Sequence, residues 1–97
     1  VIVYGHAGDG NVHLHPICVN MNREEWDNRF PHLMSDIYRA GVSFAGAISG
    51  EHGIGFEKKT YLPIGMDNAL LNVMKGIKRA FDPNNILNPG KIFDLEI

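Results

Sequence analysis

Seven of the eleven glycines fall in two short stretches, Gly5 to Gly10 and Gly46 to Gly55. Glycine concentrates where a backbone must turn at positive φ or pass close to another group, and it weakens helix and strand interiors. The two stretches therefore read as loops, and they cut the chain into a β-rich start, a long middle and a helical end. Both loops also carry chemistry. Gly5-His-Ala-Gly-Asp-Gly-Asn-Val-His-Leu-His15 sets three histidines around the first, and Gly50-Glu-His-Gly-Ile-Gly55 adds a carboxylate and a fourth imidazole at the second. A fold that joins them makes a metal or proton-transfer site.

Val1 to Tyr4 and Asn11 to Val19 are β-rich runs separated by turn formers, the pattern of an antiparallel hairpin. Alternation along the second run puts His13 and His15 on one face and Val12 and Leu14 on the other. Pro16 cannot donate to a ladder, so the strand ends, bends or lies at an edge there. Asn22 and Glu25 have capping-box spacing and open a helix whose apolar stripe is Trp26, Phe30, Leu33, Met34, Ile37 and Tyr38, ending near Gly41. Pro31 is expected to kink that helix or restart it. Val42 to Ile48 has strand character, Lys58 to Pro63 suits a short turn or helix, and the tail from Asn85 to Phe93 reads as extended and irregular. Asp67 caps a second helix, with Leu70, Leu71, Met74, Ile77 and Phe81 on one side and Asp82-Pro83 as its stop.

The expected class is α+β: a small, mainly antiparallel sheet covered on one face by two amphipathic helices, the arrangement of half a ferredoxin-like layer. At 97 residues, 44% hydrophobic and 21% charged, the chain is one globular domain at most. A net charge of -2 gives no basic footprint for nucleic acid. With no apolar run long enough for a bilayer and no signal peptide visible, a cytoplasmic location is expected. The lone Cys18 excludes an internal disulfide and suits a small buried residue in a reducing compartment. Val1 to Tyr4 reads as a strand already in progress, as in a piece of a longer chain.

His6 and His13 flank the hairpin turn and can point into one space, with Glu51 as a third ligand for a zinc-type ion; hydrogen-bonded surface or core histidines are the alternative. His52, beside Glu51 and flanked by glycine, suits a general acid or base, because imidazole titrates near neutrality. His15 either supports His13 or contacts substrate. Asp9 suits a turn that bonds its own backbone. His32 reads as a surface residue, and Lys58 and Lys59 as a solvated or anion-attracting pair.

Together Gly5 to His13, Ser49-Gly-Glu-His-Gly-Ile-Gly55 and Phe81-Asp-Pro-Asn-Asn-Ile-Leu-Asn-Pro-Gly-Lys91 resemble the C-terminal region of FAD-linked oxidases of the glycolate oxidase D-subunit, D-lactate dehydrogenase and D-2-hydroxyglutarate dehydrogenase type. Three motifs in order across nearly the whole chain make the resemblance specific. It implies that residues 1–97 are the C-terminal part of a cap, or substrate, domain, with the FAD-binding domain elsewhere in the polypeptide and no activity in the isolated piece. It further implies hydride transfer from a D-2-hydroxy acid to FAD, a divalent metal such as zinc on His6, His13 and Glu51, and His52 as the base. Asn88 and Lys91 are similar to positions near the flavin or its domain interface. Position 15 carries His where relatives often have Asn or Pro, which bears on the substrate contact. Implied partners are a small 2-hydroxy acid, the FAD-binding domain, a peripheral electron acceptor and further copies of the chain. A small metal-dependent hydrolase and a non-catalytic binding or oligomerisation module are the competing classes.

Overall fold

The computed structural model describes residues 1–96. The first glycine stretch makes the expected hairpin: β1 (Ile2–His6) and β2 (Asn11–His15) pair antiparallel across a single 3-10 turn at Ala7–Asp9. Ile2 faces His15, Tyr4 faces His13 and His6 faces Asn11 in the register. Cross-strand partners share a face and strand neighbours do not. One face therefore carries His6, Asn11, Tyr4, His13 and His15, and the other Val3, Val12 and Leu14. Gly5 permits this pairing, since a Cβ there would lie 2.0 Å from the Asn11 carbonyl oxygen. β2 stops at His15, directly before Pro16.

Asn22 caps α1 (Arg23–Ser43) by accepting the Glu25 N–H at 2.8 Å. The reciprocal half of the capping box is not made, because Glu25 reaches forward to Arg29 at 2.9 Å instead. The expected restart at Pro31 is not made: α1 is one continuous helix with Pro31 inside it. A proline removes one ladder donor, and a helix of 21 residues absorbs that loss.

The strand expected over Val42 to Ile48 is also absent. Val42 and Ser43 complete α1, and the chain leaves it through a Schellman turn in which Gly46 N–H donates to Gly41 O at 2.9 Å and Ala45 N–H to Val42 O at 2.9 Å. Ala45 occupies the left-handed position at φ 62. A 3-10 turn at Lys59–Tyr61 then leads into α2 (Leu62–Gly65), and Asp67 caps α3 (Asn68–Phe81) through the Leu70 N–H at 2.8 Å.

The class is α+β with an antiparallel sheet, as the pattern implies. The packing differs: the helices do not cover the hairpin, whose apolar face leaves Val3 58% and Val12 60% exposed. α1 instead packs on α2, with the Tyr38 and Tyr61 rings 5.0 Å apart and Gly65 tucked against Ile48. That contact desolvates the Tyr38 phenol and, with Tyr61 and Glu57 nearby, raises its pKa. Among the described residues Ile48, Leu62 and Leu71 are the buried hydrophobic ones. Such a thin core leaves 7411 Å² accessible, against about 5,500 Å² for a compact monomer of this mass. The radius of gyration agrees, at 15.7 Å against about 13 Å for a compact 100-residue domain.

Cys18 is exposed rather than buried, its thiol donating to Met21 O at 3.4 Å; it lies outside the thin core of Ile48, Leu62 and Leu71. Among the described residues no helix is long and apolar enough to cross a membrane. The tail is a series of turns rather than extended, with Asn85 and Asn88 at φ 50 and 48. Its organiser is Asp82, 4% exposed, which accepts from Lys78 Nζ and from the N–H groups of Ile86 and Leu87 at 3.1 and 3.0 Å. Those donors, Lys78 first, hold its carboxyl below the usual range. Further on, Ile92 N–H donates to Gly55 O at 2.7 Å and Asp94 accepts from Lys59 at 3.0 Å, which pins the tail to the second glycine loop.

Candidate functional site

The second loop meets the polar face of the hairpin at Gly50, which lies directly on the Asn11 side chain. The next residue, Glu51, thereby enters a ring of imidazoles. His13 Nε2 stands 2.7 Å from Glu51 Oε1, His52 Nε2 3.7 Å from the same oxygen, and His6 Nε2 4.0 Å from Oε2. An ionised carboxylate only accepts, so His13 donates from Nε2. That hydrogen bond is the main reason the Glu51 carboxyl titrates below its ordinary value, and the facing charges of His6, His13 and His52 add to it.

Exposure divides the histidines. His13 keeps 19% of its side chain exposed, between the Tyr4 ring at 5.0 Å and the edge-on His52 ring at 5.4 Å. His6 and His52 are open, at 64% and 74%. His15 lies off Glu51, stacked on Tyr4 at 5.1 Å with the tyrosine hydroxyl 2.9 Å from its Nε2. Tyr4 belongs to the site although no motif marks it; strand alternation from His6 would have placed it on this face. Ser49, which opens the second of the three motifs, has a buried hydroxyl without a hydrogen-bond partner among the described residues.

The other expected positions lie apart from the ring. Asn88 and Lys91 line a cleft of about 460 Å³ with Phe81, Leu87 and Phe93 at the end of α3. Lys91 Nζ also sits 5.7 Å from the Phe56 ring, close behind the second loop. Asp9 is exposed in the hairpin turn, His32 is exposed on α1, and Lys59 is paired with Asp94.

The donor set fits a divalent ion. Ligand atoms of His13, Glu51 and His52 all lie within 4.8 Å of one another, with His6 reaching the other carboxylate oxygen. Two ligands at zinc-type bond lengths in a tetrahedral shell stand roughly 3.3 Å apart, and the three histidine-to-carboxylate separations, 2.7 to 4.0 Å, bracket that value, with His13, Glu51 and His52 the set that is mutually close. An ion ligated by His13 Nε2 would displace the proton that now bonds Glu51. For FAD, the exposed rings of His6 and His52 leave a planar group free to lie against them.

Residues 1–92 match the family of FAD linked oxidases, C-terminal domain. The chain belongs to this family. It is 44% identical over 89 residues to a D-lactate dehydrogenase of Anaerostipes hadrus, covering 92% of this chain and 19% of the relative. Glycolate oxidase subunit GlcD of Bacillus subtilis is 42% identical over 95 residues, covering 96% of the chain and 20% of that protein. A D-2-hydroxyglutarate dehydrogenase of Stutzerimonas stutzeri is 37% identical over 94 residues, with 96% and 20% covered. The chain thus spans about a fifth of the length of the curated relatives it matches.

Proposed function

We propose that the protein carrying this chain is an FAD-dependent dehydrogenase of a small D-2-hydroxy acid, of the glycolate or D-lactate type, and that these residues form the cap side of its active site. The observation that carries this reading is Glu51 ringed by His6, His13 and His52 in a chain of this family. The names of the relatives support a hydroxy acid as the substrate class. FAD, held mainly by another part of the same polypeptide, supplies the hydride acceptor.

In this reading His6, His13 and Glu51 hold a divalent ion such as zinc, which when bound lowers the pKa of a coordinated hydroxyl. His52 takes the hydroxyl proton while the C2 hydrogen leaves as hydride and the C–O bond becomes a carbonyl. His15 contacts the substrate carboxylate: when Tyr4 donates to Nε2, the neutral ring carries its proton on Nδ1 and can donate it. A second reading exchanges His6 and His52, and is favoured by the mutual closeness of His13, Glu51 and His52. Anaerobic mixing of the full-length protein with D- and L-lactate tests the proposal. Bleaching of the flavin by the D isomer and not the L is expected; a flavin that no 2-hydroxy acid reduces would overturn it.

A further inference from the structure

We infer that Asn11 is a positioning residue: its carboxamide is the stop against which the second loop docks, and it sets the approach of Glu51 to His13. Asn11 lies on the polar face of β2, two residues before His13 and opposite His6 in the register. A Cβ on Gly50 would lie 2.2 Å from Asn11 Oδ1, 2.8 Å from Cγ and 3.3 Å from Nδ2. All three atoms crowd the same point, so turning the amide about its own axis gives no relief. The whole side chain must swing off the loop.

On the other side the loop is fixed to the core. Ile48 is buried and packed by Gly65, so only Ser49 and Gly50 separate an anchored residue from Glu51. Held by Ile48 at one end and stopped by Asn11 at the other, the carboxylate has little freedom in where it meets His13. Among the described residues the Asn11 side chain makes no hydrogen bond to Glu51, His6, His13 or His52, and it acts through contact alone.

The inference extends the metal reading above, yet one of its tests needs no metal. In the full-length protein with histidine-selective 15N labelling, the metal-free His13 ring resonance reports the hydrogen bond to Glu51. Gly50→Ala is expected to shift that resonance towards a solvent-exposed imidazole and to weaken zinc binding by roughly 10- to 100-fold, the usual cost of losing support behind a metal ligand. Asn11→Ala is expected to cost a few-fold. In Gly50→Ala/Asn11→Ala the added methyl has room, so the double variant should match Asn11→Ala rather than show the product of the two losses. An unshifted His13 resonance in Gly50→Ala, or losses that simply multiply, would overturn the role of Asn11. If the wild-type protein binds no zinc while the resonances follow the expected cycle, Asn11 keeps its role and the metal reading falls. Thermal midpoints of the four proteins separate a misplaced loop from a failure to fold.

Discussion

Glu51 and Asp82 are two carboxylates that both titrate below their ordinary range, and their surroundings give them opposite uses. Asp82 is buried and answered by a lysine and two backbone amides of its own tail. None of those donors can also serve as a metal ligand or take up a proton near neutrality. Glu51 faces three imidazoles, each able to exchange a proton for an ion or to take a proton from a substrate. A lowered carboxyl pKa therefore does not distinguish structure from chemistry. The identity of the partners does.

The sharpest test of that contrast is to neutralise each carboxylate in the full-length protein. Glu51→Gln should abolish zinc binding and lower kcat by at least about 10⁴-fold, the upper end for loss of a positioned acid or base, as read by metal analysis and steady-state kinetics. His52→Ala should lower kcat by roughly 10²- to 10⁴-fold with flavin and zinc retained. Zinc lost in His52→Ala but kept in His6→Ala would exchange the roles of those two residues.

Asp82→Asn should leave kcat near wild type and act on stability. The folded pKa of Asp82 lies below the unfolded one, so its stabilisation is full above the unfolded value near 3.9 and is lost as pH falls through the folded value. Thermal midpoints followed from about pH 5 to about pH 3 should fall for the wild type. The Asp82→Asn protein should start lower and fall less steeply. The smallest effect is expected at Asp67→Ala, where loss of the α3 cap costs about 1 kcal/mol in denaturant unfolding and leaves the Glu51–His13 contact intact.

Much of the local geometry of the candidate site is legible in the chain, because short-range rules govern it. Turn glycines and strand alternation gave the hairpin and its polar face, and Asn22 and Asp67 announced the two helix starts. The end of α1 was not legible. Gly41 looks like a stop but sits inside the helix, while the left-handed position belongs to Ala45, where glycine is the usual choice, and Gly46 comes one residue late. Val42 and Phe44 then look like strand residues although the capping bonds hold this segment in a turn. The covering of the sheet is not legible for another reason: amphipathic stripes state that a face needs a partner, not which partner. The meeting of Gly50 with Asn11 depends on residues 39 positions apart and had no local sign.

Each strand of the hairpin spends one edge on the other, and the outer edge of each is bare backbone among the described residues. Neither β1 nor β2 contains a lysine or proline to discourage a newcomer. The Val3 and Val12 side adds an apolar surface beside those open rows of amides and carbonyls. A concentrated solution of the 97-residue stretch by itself is therefore a stock of templates for strand addition, copy upon copy, and turbidity is the first property such a preparation would develop.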